Sequence, residues 1–273
     1  MIKRSDLDEL RSRANIVDIV GDYITLKRAG VDSFKGLCPF HDEKSPSFHV
    51  RPGSGYFNCF GCGEKGDMYA FLMKIDHLSF SESAERIAQR VGFTLTYEDG
   101  QGQRDSGQRA RLLEANKAAE DFFVAQLSTP EAALAHEFLS GRGFDPAACA
   151  HFRVGFSPNS YDALSKHLKS LKFSEQELEA AGLVSRGDRG TYDRFRGRVM
   201  WPIRDTTGTT VGFGARRLRD DDKGPKYLNT PDTPVYHKSK VLYGIDLAKR
   251  SIGRDRRVVV VEGYTDVMAC HLA

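Results

Sequence analysis

At 273 residues the chain exceeds the usual size of a single domain, and 40% hydrophobic with 28% charged residues describes real cores under a wet surface. Lys and Arg number 40 against 37 Asp and Glu, so the net charge of +3 excludes a uniformly basic or acidic protein. The charge is unevenly placed: residues 186–257 hold 18 Lys/Arg, nine Asp and no Glu, a net of +9 that leaves −6 for the rest. A basic block of this kind is the footprint of a surface that meets polyanions.

The longest aliphatic run, Val258–Val261, is far short of the ~20 residues that span a bilayer. The opening MIKRSDLDEL has no apolar signal region. These readings predict a cytoplasmic, reducing compartment, no membrane partner, and cysteines that bind metal rather than form disulfides.

In chain order, Leu7, Leu10, Ile16, Ile19 and Val20 recur at helical spacing between Ser5 and Ile24, with Ser5 as the cap. Short strand-like segments punctuated by Gly and Pro fill Phe34 to Cys62. Asp67 is placed to cap a helix with the apolar stripe Phe71, Leu72 and Ile75. The capping box Ser79-Phe-Ser-Glu82 opens another helix that buries Phe80, Ala84, Ile87, Ala88 and Val91 and stops at Gly92. Residues 98–109 (EDGQGQRDSGQR) have no apolar side chain and three glycines, which predicts an exposed flexible linker. Helices resume from Arg111, one of them with Thr129 as N-cap and Pro130 in first position, and β-like alternation takes over from Tyr192.

The metal signal is Cys38-Pro-Phe-His41, then 17 residues, then Cys59-Phe-Gly-Cys62. Two chelating pairs on separate turns close a tetrahedron, and three thiolates with one imidazole make a structural zinc set with no open position. Gly61 and Gly63 relieve the second turn, and so small a segment takes much of its folding free energy from the ion. His49 lacks a chelating partner and reads as a surface or core histidine; Cys149 and Cys270 read as buried small residues. Around the site lie Lys27, Arg28, Lys35, Lys44, Arg51 and Lys65, interleaved with Phe34, Phe40, Phe48, Tyr56, Phe57 and Phe60. Cations and rings together suit a single strand of nucleic acid, although for any one ring the core is the simpler destination.

Further on, Arg194, Arg196 and Arg198 would project from one face of an extended strand. Val199–Arg204 and Thr210–Arg216 read as a hairpin about Thr-Thr-Gly-Thr, with Gly212, Gly214 and Arg216 on one face. That face reads as a smooth shelf for a phosphate, helped by Lys226, Asn229 and Lys238. Asp220-Asp-Asp222 reads as a solvated loop rather than a magnesium site. Val258–Val261 reads as a strand buried on both faces of a parallel sheet, with Glu262 at its C-terminal end, where open α/β sheets place their sites, and a helix from Tyr264.

The residues from Cys38 to Phe48, followed by Cys59-Phe-Gly-Cys62-Gly-Glu-Lys-Gly-Asp67, resemble the zinc-binding domain of bacterial DNA primases. Arg194-Phe-Arg-Gly-Arg-Val-Met-Trp-Pro-Ile-Arg-Asp205, Gly212-Phe-Gly-Ala-Arg216, Pro225-Lys-Tyr-Leu-Asn229 and Leu242-Tyr-Gly244 resemble that family's catalytic core. Val258-Val-Val-Val-Glu-Gly-Tyr-Thr-Asp-Val267 resembles the start of its toprim fold. The resemblance implies a DNA-directed RNA polymerase that writes short RNA primers on single-stranded DNA from ribonucleoside triphosphates. It implies that Arg216, Lys226, Asn229 and Lys238 line the cleft for template and nucleotide. Glu262 becomes a catalytic or metal-binding carboxylate with Asp266 nearby, and magnesium or manganese joins the structural zinc. The replicative helicase is the expected partner, through a C-terminal domain absent here, and a monomer is expected.

The expected architecture is therefore multidomain α+β. Residues 1–97 form a zinc-ribbon domain with flanking helices and 98–109 the linker. Residues 110–255 form a mixed α/β basic subdomain, and 256–273 begin an incomplete toprim domain. The family's further acidic residues, on the next strand, have no counterpart in this sequence, so a fragment that binds template with little activity of its own is expected. The readings of other classes are a non-catalytic zinc-ribbon module for single-stranded DNA, and another toprim enzyme such as a topoisomerase or a phage primase–helicase. The Walker A pattern that a helicase fusion needs is absent.

Overall fold

Asn15 divides the expected first helix in two. Its side chain accepts the Val17 N–H at 2.8 Å, so α1 (Arg4–Arg13) ends and α2 (Ile16–Gly21) starts anew. Ser5 is not the cap of α1; Lys3 holds that position and the Ser5 hydroxyl turns to Asp6 at 3.1 Å. The computed structural model describes residues 1–273 apart from positions 77, 99 and 189, and of 100–106 only the backbone.

Five short strands follow, β1 (Lys27–Gly30), β2 (Ser33–Gly36), β3 (Phe48–Arg51), β4 (Tyr56–Cys59) and β5 (Lys65–Asp67), paired antiparallel in chain order. Their inner row, Phe34, Val50, Phe57 and Gly66, lies in register and faces α3 (Met68–Ile75) and α4 (Phe80–Arg90). Phe48 stacks on Phe57 at 5.0 Å and both meet Phe71 edge-on, so these aromatic rings are core. Asp67 accepts the Ala70 N–H at 3.0 Å, the Ser79/Glu82 capping box closes on both sides, and Gly92 takes φ 64° at the helix end. Phe80 departs from the expected burial: at the first position of α4 it leans on Tyr69 at 5.2 Å and stays exposed on its other face.

The chain divides into two compact units, residues 1–106 with 248–258, and 107–247 with 259–273. The boundary falls inside the expected linker, yet from Gly100 onward that stretch is helical backbone: α5 runs Gly100–Leu127. It contains no proline, and its Gln and Arg residues extend the Ala/Leu-rich helix that follows. Position 99 of that stretch lies outside the described residues. Residues 248–258 belong with the first unit, where Arg256 reaches the Asp42 carboxylate at 3.0 Å and Lys249 lies over the Tyr23 ring at 5.3 Å.

In the second unit come α6 (Ala133–Ser140), α7 (Pro146–His151), β6 (Gly155–Ser157), α8 (Ala163–Ser170), α9 (Glu175–Ala180), β7 (Val184–Gly187) and β8 (Gly190–Asp193). They are followed by β9 (Arg198–Arg204), β10 (Thr210–Arg217), β11 (Tyr227–Asn229) and α11 (Tyr264–Leu272), while α10 (Ile245–Asp255) belongs from residue 248 onward to the first unit. Thr129 and Pro130 open a short 3-10 turn that leads into α6. The expected hairpin is β9–β10, the centre of an antiparallel sheet ordered β11-β10-β9-β6, while β7 and β8 pair by themselves. Trp201, Phe213, Phe195 and Phe123 are fully buried about it. Two polar ties fix helices to strands. Asp193, buried at the end of β8, accepts the Leu164 and Ser165 N–H groups of α8 at 2.7 and 3.0 Å. Glu120 of α5, also buried, accepts from Thr210, Arg153 and Arg204 and so stays ionised below its ordinary range although burial pushes it up.

Val258–Val261 is not a buried strand: Val258, Val259 and Val260 are 63, 74 and 78% exposed. A strand exists only through its neighbours, and none of the described residues pairs with this segment. Cys270 is likewise exposed, unlike Cys149. Among the described residues no helix is long and apolar enough to cross a membrane.

The best-defined surface tie is the Glu177 carboxylate, which meets the Arg111 guanidinium at 2.8 Å and the Ser174 N–H at 2.7 Å, and is pulled down to about 2 chiefly by Arg111. A depressed folded value gives stability that is present above the ordinary carboxylate value of 4.5 and is lost as pH falls toward 2. Glu177→Gln is therefore expected to cost about 1–2 kcal/mol in urea unfolding near neutrality, with the gap to wild type closing as the pH drops below about 4. A gap that stays constant with pH contradicts this role.

Candidate metal centre and nucleic-acid interface

Cys38 follows β2, His41 lies three residues on in the loop before β3, and Cys59 and Cys62 sit on the turn that leaves β4. The fold brings their ligand atoms within 4.8 Å of one another, the one such group of three or more metal-binding side chains among the described residues. Cys38 Sγ lies 3.8 Å from Cys62 Sγ, and Cys59 Sγ lies 3.8 Å from His41 Nδ1. Zn–S bonds near 2.3 Å give tetrahedral edges of about 3.8 Å, so the donor set and spacing fit zinc. Backbone N–H groups turn to the sulfurs, Phe40 to Cys38 at 3.4 Å and Cys62 to Cys59 at 3.5 Å. Such donors offset the negative charge of three thiolates around one divalent ion. Burial pushes the metal-free Cys38 thiol up to about 12. At Cys59 burial acts the same way, but the Ser47 hydroxyl and the Cys62 and Gly61 N–H groups outweigh it and bring the thiol to about 7.

Glu43 is the residue that spacing alone did not single out. Its carboxylate accepts the Cys38 N–H at 2.7 Å and the Ser47 N–H at 3.1 Å, and stands 3.4 Å from His41 Nε2. It thereby aims the imidazole, leaving Nδ1 for the ion, and closes the first metal loop, whose Ser47 hydroxyl lies 3.2 Å from Cys59 Sγ of the second. Gly61 is required for space: a Cβ there would stand 2.5 Å from His41 Nε2. Gly63 is required for its φ of 79°.

The outer face of the same sheet carries a row in register across all five strands, Lys27, Lys35, His49, Asn58 and Lys65. Arg51 and Tyr56 pair on the same face. The exposed Phe60 ring meets His49 edge-on at 5.1 Å. Thus Phe48 and Phe57 are core, whereas Tyr56 and Phe60 are open beside cations.

In the second unit the structure separates the three arginines expected on one strand face. Residues 194–197 are not strand, because β9 begins only at Arg198. Arg194 donates to the Asn229 carbonyl at 3.2 Å. Arg196 donates to the Asp193 carbonyl at 2.9 Å. Arg198 is buried and paired with Asp222 at 2.6 Å, which occupies one carboxylate of the acidic loop. The expected glycine shelf is filled from within the unit: a Cβ at Gly214 would stand 2.2 Å from the Tyr264 ring, and one at Gly212 3.1 Å from Thr230. Tyr264 stacks on Trp201 at 5.3 Å and donates to Asn229 Oδ1 at 2.9 Å. The glycines therefore make room for a side chain, the close-contact meaning of glycine in a strand. Arg216 is half-buried with its guanidinium 4.0 Å from the Phe138 ring, while Lys226 and Lys238 are exposed. Glu262 is exposed, and the Asp266 carboxylate caps α11 by accepting the Gly263 N–H at 3.0 Å.

Because Glu43 orients a ligand without touching the ion, Glu43→Gln is expected to weaken zinc binding roughly tenfold or more with the sheet retained. Cys62→Ser is expected to lose stoichiometric metal. Chelator competition and elemental analysis measure both, and a Glu43→Gln protein with unchanged affinity contradicts the assignment.

Residues 2–103 match the CHC2 zinc finger family, and residues 122–249 match the N-terminal domain of the DNA primase catalytic core. A DNA primase of Mycolicibacterium smegmatis is 56% identical over 98% of this chain and 43% of its own length. The RNA polymerase domain of Mycobacterium tuberculosis primase DnaG, solved in complex with a double-stranded DNA oligomer with a 6-nucleotide overhang, is 54% identical with a TM-score of 0.59, covering 60% of this chain and 51% of that one. The Aquifex aeolicus primase, solved as its zinc-binding and RNA polymerase domains, is 35% identical with a TM-score of 0.53, covering 96% of this chain and 62% of that one. The chain spans less than half the length of the curated relatives it matches. With a zinc finger and a catalytic-core N-terminal domain in that order, the chain belongs to the DNA primase family.

Proposed function

We propose that this chain is the template-reading and strand-gripping part of a DNA-directed RNA polymerase that writes short RNA primers on single-stranded DNA in the cytoplasm. Family membership supports the reaction class. The observation that carries the reading for this chain is the Tyr264–Asn229 hydrogen bond, which ties the acidic turn at Glu262–Asp266 to the edge of the basic sheet where Lys226 and Asn229 lie. Primer extension needs both charges close together. Cations hold the phosphates of template and incoming ribonucleotide, and carboxylates hold divalent ions that stabilise the attacking and leaving oxygens.

Arg194, Arg196, Arg216, Lys226 and Lys238 are assigned to phosphate and strand contacts, and Asn229 to positioning through Tyr264. Arg198 acts from beneath, since its charge is taken up by Asp222. Glu262 is assigned as one carboxylate for magnesium or manganese, with Asp266 beside it on the same turn. The curated relatives are more than twice as long as this chain, so polymerisation is proposed for the full-length protein and strand binding for residues 1–273. In the full-length protein the replicative helicase is the proposed partner, and the chain acts as a monomer.

The row Lys27, Lys35, His49, Asn58 and Lys65 is the proposed reading face of the zinc domain, with Phe60 and Tyr56 as stacking rings. Titrating a labelled single-stranded oligonucleotide at several salt concentrations tests it. Each phosphate contact on a single strand contributes a slope of about 0.7 in log affinity against log salt, so Lys35→Ala with Lys65→Ala is expected to reduce the slope by about 1.4. An unchanged slope, or no binding by the wild-type chain at low salt, overturns the reading.

A further inference from the structure

Two arginines of the central sheet in the second unit are held in opposite ways. Arg198, buried at the start of β9, meets the Asp222 carboxylate at 2.6 Å, so its charge is neutralised where it is fixed. Arg216, near the end of β10, has no carboxylate partner among the described residues. Its one side-chain hydrogen bond runs from Nη1 to the Arg217 carbonyl at 3.0 Å, and its Nε is buried with no acceptor. What it has instead is the Phe138 ring, 4.0 Å from the guanidinium carbon.

Phe138 is itself fixed. It lies in the last turn of α6, and its ring meets the fully buried Trp201 edge-on at 6.5 Å. Arg142, just past the end of the same helix, is exposed and stands 4.8 Å from the same ring. One ring therefore serves two guanidinium groups, whose mutual repulsion its negative face offsets. An aromatic face attracts a cation through its quadrupole and leaves the net charge in place, whereas a carboxylate would neutralise it. For a residue that meets a phosphate, that difference decides whether the cation is available. An aliphatic side chain could pack on Trp201 as well, but it would leave the buried Nε facing nothing that attracts it and the long arginine free to spread over its rotamers.

We infer that Phe138 is a positioning residue for the Arg216 guanidinium, ordering it toward a phosphate without neutralising it. The inference rests on the phosphate role proposed above for Arg216 and adds to it the group that holds the cation in place. The phosphate belongs either to the strand or to the incoming ribonucleotide, and the two are told apart by the probe.

Fluorescence anisotropy on the whole chain, with labelled oligothymidylate and with a fluorescent ribonucleoside triphosphate, tests it. The probe that Arg216→Ala weakens is the Arg216 ligand, and the remaining variants are read with that probe. Phe138→Leu is expected to bind it about fivefold more weakly, and Phe138→Tyr and Phe138→Trp like wild type. Mono-, di- and trifluorinated phenylalanine at position 138 weaken the negative face of the ring in steps at nearly constant size. Affinity is expected to fall in the same steps, to about fivefold for the trifluorinated ring, and the series is expected to be flat in an Arg216→Ala background. A series that is flat in both backgrounds, as for a ring that only packs on Trp201, overturns the inference and leaves the phosphate role of Arg216 intact. So does an equal decline in both backgrounds, because the ring would then act through another group. If Arg216→Ala binds both probes like wild type, the phosphate role falls and this inference with it.

Discussion

Four ligands from two loops around one ion are the constraint on which the first unit depends. Its strands are three or four residues long, too short to hold a sheet by ladder hydrogen bonds alone. Bonds from Cys38, His41, Cys59 and Cys62 to one zinc fix the ends of β2 and β4 relative to each other, and Glu43 braces the loop that carries Cys38 and His41. With those ends fixed, the register of β3 and β4 follows. Phe48 and Phe57 then fall inward, and His49 and Asn58 fall outward into line with three lysines. The basic face is thus a consequence of the metal geometry: a slip of one residue would turn those cations into the core.

The second unit reaches a comparable result through side-chain packing. Two glycines in β10 admit Thr230 and Tyr264 against the strand, and Tyr264 in turn reaches Asn229. The segment that carries Glu262 and Asp266 is thereby attached to the sheet that carries the cations. A side chain at position 214 would displace that ring and detach the two.

Much of this was legible in the sequence where local chemistry decides the structure. The metal ligands could be read because chelation demands a fixed spacing, and the Ser79 box and the Asp67 cap because they act within one turn. The β9–β10 hairpin could be read from alternation about its Thr-Thr-Gly-Thr turn. What could not be read depends on distant partners. Asp193 capping a helix some thirty residues away, Glu43 behind the imidazole and Asp222 neutralising Arg198 leave no local pattern. The three alternating arginines suggested a strand, but residues 194–197 bend instead, and the glycines read as a ligand shelf hold a tyrosine. The valine run carried the right composition for a buried strand, yet composition alone cannot supply the neighbours that bury it.

The central claim is that coordination, rather than core area, holds the five-stranded sheet. Amide hydrogen exchange on the whole chain before and after removal of zinc by a chelator tests it most directly. The account predicts that protection collapses across β1–β5 and the metal loops while β9 and β10 keep theirs. Full protection of β3 and β4 in the stripped protein, or simultaneous loss in both units, would contradict it.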